Sequence, residues 1–252
     1  MAKISRPKVA LVTGAGGSIG TATCQQLLDE GYRVFGADLR AQAPSTLPGA
    51  VSYHCCDMTD EHAVNLLVDR IEADAGNPVS ALVNVAGVVS AGSALDLSVK
   101  EMERVMRINV FGSFIPCQVV GRRMAKNRYG AIVNLGSVVG KNSGNARAWV
   151  DTKELDRAGN VAYGMSKAAV HTMTGFLAKE LAPRNVRVNA VAPGPIATDM
   201  TTSFPETLRN LIPLGRMGQA DEVAHAISFL LSDKSRFITG ETLDINGALW
   251  CD

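Results

Sequence analysis

Tyr163 and Lys167 lie four residues apart in Tyr163-Gly164-Met165-Ser166-Lys167, at the start of a stretch with helical character. On a helix that spacing stacks a phenol and an ammonium on one face, one turn apart. A free phenol titrates near pH ~10, too high to exchange protons near neutrality. A cation held beside it favours phenolate and moves the group toward the range a general acid or base needs. A packed ring beside a solvated charge has the same spacing, so the surrounding elements carry the argument.

A second chemical feature follows the apolar run 9–12. Thr13-Gly14-Ala15-Gly16-Gly17-Ser18-Ile19-Gly20 leads from that run into a helix. Glycines let a backbone turn tightly and approach a pyrophosphate, which the helix N-terminus then attracts. The strict G-x-G-x-x-G spacing is broken, because Ile19 stands where its third glycine falls. Asp38 closes the second apolar run, 24 positions beyond Gly14. A carboxylate there accepts hydrogen bonds from the adenosine ribose hydroxyls of NAD and repels an added phosphate. Arg40, two residues on, is within reach of such a phosphate, so NAD is favoured and NADP stays open.

The elements that must position these groups alternate along the chain. Strand-like apolar runs fall at 9–12, 33–37, 51–56, 81–85, 131–135, 186–191 and 242–245. Helix-like stretches lie between them at 18–30, 60–73, 98–126, 161–181 and 220–231. Short apolar strands alternating with helices predict a parallel sheet covered on both faces. No repeat, low-complexity tract or Pro-rich linker divides the chain, so residues 1–252 read as one doubly wound α/β domain. Ligands of such sheets bind at the carboxyl ends of the strands.

Composition narrows the function classes. Hydrophobic residues make up 46% and charged residues 19% of 252, enough for a sizeable core. A net charge of +1 gives no electrostatic footprint for nucleic acid or a membrane surface. No apolar run is long enough to span a bilayer, and the cytoplasm is the expected location. Five scattered cysteines and four dispersed histidines show no metal-ligand spacing, so no metal is expected and the thiols read as reduced.

Taken in order, the motifs resemble those of the short-chain dehydrogenase/reductase family over nearly the whole chain. Thr13, Gly14 and Gly20 match its T-G-x-x-x-G-x-G turn, with Ser18 in place of the middle glycine. Asn84-Val85-Ala86-Gly87 matches N-N-A-G, with Val85 as the departure. Asn109, Ser137 and the Tyr163/Lys167 pair fall in the family's catalytic order, and Pro193-Gly194-Pro195-Ile196-Ala197-Thr198 matches P-G-x-I-x-T. The resemblance implies a Rossmann fold and a coenzyme lining spread over several strand ends. That lining comprises Gly14, Ser18, Ile19, Gly20, Asp38, Leu39, Asp57, Met58, Asn84, Ala86, Gly87, Pro193, Gly194, Ile196 and Thr198, together with Tyr163 and Lys167.

It also implies a reaction, the interconversion of a secondary alcohol and a ketone by hydride transfer with NAD. Tyr163 would exchange the proton, Ser137 would hydrogen-bond the same oxygen, Lys167 would bind the nicotinamide ribose, and Asn109 would position a relaying water. Tyr163 follows Ser137 by 26 positions, longer than the family usually allows. The excess, 142–160, includes Arg147, Trp149, Val150, Lys153, Glu154 and Asp156, and reads equally as a pocket wall or a surface excursion. The segment 199–213, a lid in relatives, offers Met200, Phe204, Leu208, Leu211 and Ile212 to an apolar substrate such as a hydroxysteroid. The alternative substrate is a 3-oxoacyl thioester, whose reductases mostly use NADPH. Arg122, Arg123, Lys126 and Arg128 would then face an acidic carrier protein, although a solvated helix end is the preferred reading. A non-catalytic dinucleotide-binding regulator is the alternative of another class. Relatives pack as tetramers or dimers through helices near 109–126 and 161–181, and a homo-oligomer is expected here.

Overall fold

The computed structural model describes residues 8–144, 160–198 and 206–251. The predicted pocket-wall residues Arg147, Trp149, Val150, Lys153, Glu154 and Asp156, and the lid residues Met200 and Phe204, lie outside them.

All seven predicted apolar runs form strands of one parallel sheet, which makes this a doubly wound Rossmann fold. They are β1 (Val9–Thr13), β2 (Arg33–Asp38), β3 (Ser52–Cys55), β4 (Ala81–Asn84), β5 (Gly130–Leu135), β6 (Val186–Pro193) and β7 (Thr242–Ile245). The order across the sheet is β3-β2-β1-β4-β5-β6-β7. The chain therefore winds outward first to one side of β1 and then to the other, opening a crevice between the carboxyl ends of β1 and β4.

The strands read as unbroken apolar runs because both faces are covered. Leu11, Phe35, Leu82 and Ile132 pack with Val64, Ile71 and Met124 from helices Glu61–Ala75 and Gly112–Asn127. Val12, Val34, Val83 and Val133 face the other way onto Leu27 and Ile227 of helices Ser18–Asp29 and Ala220–Leu231. Helix ends follow local chemistry. Asp60 Oδ1 accepts the Ala63 N–H at 3.0 Å, and Gly76 ends that helix at φ 64°. A reciprocal box between Gln219 and Glu222 starts the Ala220–Leu231 helix, with Arg216 bidentate on Glu222.

The stretch 98–126 differs from a plain helix. Its α-helical parts, Val99–Met106 and Gly112–Asn127, are joined by a π-helical turn at Arg107–Phe111, with Asn109 inside it. Pro116 lacks the N–H that would bond the carbonyl of residue 112, and Ser113 Oγ donates to the Asn109 carbonyl at 2.8 Å. Wide turns of this kind re-aim a side chain without ending the helix.

Candidate active site

The glycine turn is shaped by close packing. Gly14 has φ 64°, and a Cβ on it would lie 2.6 Å from the Ala86 nitrogen. The turn after β1 and the Ala86–Gly87 segment after β4 are thus pressed together across the crevice, and Thr13 Oγ1 accepts the Ala86 N–H at 3.3 Å. Gly17 precedes the helix that begins at Ser18, and Ile19 and Gly20 complete its first turn. Those first-turn N–H groups have no intrahelical acceptors, and the bare backbone leaves a cradle that suits a pyrophosphate.

At the end of β2, Asp38 Oδ2 accepts the Gly16 N–H at 3.0 Å, while Arg40 Nη1 donates to the Gly16 carbonyl at 2.6 Å. The carboxylate and the guanidinium therefore both sit on the glycine turn, on the side where an adenosine ribose would arrive. Leu39 is exposed beside them, and Asp57 and Met58 follow β3, with Asp57 Oδ1 accepting the Thr59 N–H at 2.8 Å.

Across the crevice the four predicted catalytic residues converge. Lys167 is 3% exposed; its Nζ donates to the Leu135 carbonyl at 2.6 Å and stands 5.6 Å from the centre of the Tyr163 ring. Burial lowers its pKa to about 8. The Tyr163 phenol is hydrogen-bonded to the Ser137 hydroxyl. A Cβ on Gly87 would be 3.2 Å from Asn109 Oδ1 and 3.5 Å from Lys167 Nζ, which joins the β4 end to the same cluster.

Two expectations change in detail. Burial raises the phenol pKa of Tyr163 and the Ser137 hydrogen bond only partly offsets it, so without coenzyme the group is a protonated donor. The lowering expected from Lys167 does not dominate, because desolvation acts on both buried groups and the ammonium is spent on the Leu135 carbonyl. The Asn109 amide is committed to protein groups. Its Oδ1 accepts from Val88 N at 2.8 Å, and its Nδ2 donates to Val88 O and Ser166 Oγ, each at 2.9 Å. It ties the β4 end to the Tyr163 helix, so the side chain offers little to a water.

The side chains of Asn84 and Ile196, both in the expected coenzyme lining, are buried against protein groups. Asn84 is 1% exposed, and its Nδ2 donates to Asn134 Oδ1 at 2.9 Å and to Cys117 Sγ at 3.2 Å. Asn134 Nδ2 in turn donates to Thr174 Oγ1 at 3.0 Å. This network fastens β4 and β5 to the helices beneath. Ile196 is packed into the second core cluster. Pro193 ends β6, the Gly194 N–H after it donates to the Ile245 carbonyl at 2.9 Å, and Thr198 closes the described part of that loop.

Beyond the predicted residues, Pro195, Ile212, Leu214 and Trp250 line a concavity of about 550 Å³ next to this loop. Trp250 comes from the C-terminal segment, which no sequence motif singles out. No His/Cys/Asp/Glu group among the described residues is arranged to hold a metal, and no described helix is long and apolar enough to cross a membrane.

Comparison with known proteins gives a consistent picture. Residues 14–249 match a family model described as Enoyl-(Acyl carrier protein) reductase. The chain is 38% identical to a 3-oxoacyl-[acyl-carrier-protein] reductase FabG of Thermotoga maritima, over 96% of this chain and 97% of that one. It is 36% identical to the protein of that name from Escherichia coli, with the same coverage. Among solved structures it superposes on gox2181 with a TM-score of 0.85 at 32% identity, covering 97% of this chain and 96% of that one.

Proposed function

The chain belongs to the short-chain dehydrogenase/reductase family, and from that premise we propose that its site reduces the ketone of a 3-oxoacyl thioester. The observation that carries this reading is the convergence of the Tyr163 phenol with the Ser137 side chain and the buried Lys167 ammonium, 5.6 Å from the centre of the phenol ring, a donor and a hydroxyl for one carbonyl oxygen. Tyr163 gives its proton to that oxygen, and Ser137 hydrogen-bonds it as charge develops. Lys167, fixed by the Leu135 carbonyl, would hold the nicotinamide ribose. A bound nicotinamide coenzyme supplies the hydride, and the Gly14 cradle and Asp38 suit its pyrophosphate and adenosine ribose. The relatives' names favour the thioester over a hydroxysteroid.

The basic helix end lends the thioester reading little. Arg123 is paired with Asp69 at 2.8 Å and Glu72 at 3.0 Å, and Arg128 donates to the Pro183 carbonyl. Much of this charge thus joins neighbouring elements instead of facing a carrier protein.

A second reading, an NAD-dependent oxidation of a hydrophobic secondary alcohol, is favoured by one observation: Asp38 already sits on the glycine turn. The test is a parallel assay of acetoacetyl-coenzyme A reduction and of a secondary-alcohol panel including hydroxysteroids, with both NAD(H) and NADP(H). The thioester is expected to give the highest kcat/KM, with NADH preferred to NADPH. A faster steroid oxidation establishes the second reading, better turnover with NADPH overturns the role given to Asp38, and no turnover at all leaves a binding regulator.

Self-association through the helices 107–127 and 161–181 belongs to the same proposal. Phe111, Phe114 and Phe176 expose apolar rings on them, Phe176 at 72%. Sedimentation is expected to give a dimer or tetramer, and a monomer at micromolar concentration counts against it. The cytoplasmic location is supported by five free thiols and tested by fractionation of cells.

A further inference from the structure

His171 follows Lys167 by four residues on the Val161–Leu181 helix, so Tyr163, Lys167 and His171 occupy successive turns of one face. That face grips the end of β5 twice. Lys167 Nζ donates to the Leu135 carbonyl at 2.6 Å, and His171 Nε2 accepts the Ser137 N–H at 3.3 Å. The two contacts fall on either side of Gly136, one through a donor and the other through an acceptor. As an acceptor, Nε2 is the unprotonated nitrogen of the ring.

The turn around Ser137 is built to admit this ring. A Cβ on Gly136 would lie 2.0 Å from His171 Nε2, and one on Gly140 would lie 3.0 Å from its Cε1. Neither glycine has a positive φ, so the space taken by the imidazole explains their missing side chains better than backbone freedom does. Gly140 also meets the helix backbone at Ala168. Ser137, held from below by His171, presents its hydroxyl to the Tyr163 phenol on the other side.

We infer that His171 is a positioning residue: by holding the Ser137 backbone through Nε2, it sets the Ser137 hydroxyl against the reacting oxygen. This rests on the proposed reading of Ser137 as the group that bonds that oxygen. A catalytic hydroxyl on a strand-end turn needs such support, because small displacements of a reacting group cost rate steeply.

The test compares His171→Leu and His171→Ala, which remove the acceptor, with His171→Gln, whose side-chain amide reaches the Nε2 position. Each is made in the wild-type and Ser137→Ala backgrounds, and rates are normalised to folded enzyme by coenzyme titration. Leu and Ala are expected to lower kcat about tenfold with coenzyme affinity unchanged, the loss of one oriented hydrogen bond. Gln is expected to recover most of that rate, and the Leu and Ala losses are expected to vanish on the Ser137→Ala background. Equal losses in both backgrounds, or full rate in both the Leu and Ala variants, overturn the inference while an impaired Ser137→Ala leaves the reading of Ser137 standing. Full activity of Ser137→Ala overturns both.

Discussion

Replacing Tyr163 with Phe is expected to lower turnover by about three orders of magnitude, the scale of a lost general acid. The ring keeps its place above Lys167, 5.6 Å from Nζ, so coenzyme affinity is expected to stay within about twofold of wild type, as nothing but the hydroxyl is removed. The proton is what disappears. Because burial raises the phenol pKa, the wild-type enzyme keeps its donor throughout the neutral range, and carbonyl reduction loses no rate there through Tyr163 ionisation. Alcohol oxidation needs the deprotonated form and is expected to rise with pH. Steady-state rates in both directions, with coenzyme binding followed by fluorescence, check this; a Phe variant with wild-type turnover removes Tyr163 from the chemistry.

Lys167→Met is expected to be nearly inactive and yet more stable than the wild type. Burial depresses the folded-state pKa of Lys167 from 10.5 to about 8. Below pH 8 both folded and unfolded chains carry the charge, and the whole penalty of burying it is present. Between about 8 and 10.5 the unfolded chain holds more protons, so this group's contribution to stability rises with pH until the penalty is gone. That gap corresponds to roughly 3 kcal/mol, of which about 1 is offset in the variant by the unpaired Leu135 carbonyl. A gain of about 2 kcal/mol at pH 7, shrinking toward pH 10, is expected from urea unfolding without coenzyme. A variant less stable than wild type at pH 7 contradicts this account. On the proposed reading, such a gain marks the ammonium as a functional group retained against stability.

The legible parts of this molecule were those encoded over short distances. Unbroken runs such as 9–12 and 131–135 mark strands buried on both faces, whatever partner covers them. The Tyr163–Lys167 spacing fixes a shared helical face, and Asp38 at a strand end fixes a carboxylate beside the glycine turn. None of these depends on which distant residue packs nearby.

The remainder depended on contacts between remote segments. Asn84 has the same local context whether its amide is free or tied down, and its bond to Asn134 across the sheet belongs to the packed chain. Asn109 could be placed on a helix, but the wide turn and the Val88 contacts that use up its amide belong to the packed chain. The direction of the Tyr163 shift also escaped a local reading, since a neighbouring cation is visible four residues away whereas desolvation is a property of the whole surroundings. His171 was in plain sight one turn beyond Lys167, without a signal until Gly136 and Ser137 came against it. The strand and helix order, the glycine turn and the shared face of Tyr163 and Lys167 were legible in the sequence, because hydrophobic period and residue spacing act within a few turns of chain. Tertiary structure alone decided protonation, hydrogen-bond commitment and which polar groups face the crevice, because burial and partnership are set by segments far apart in sequence.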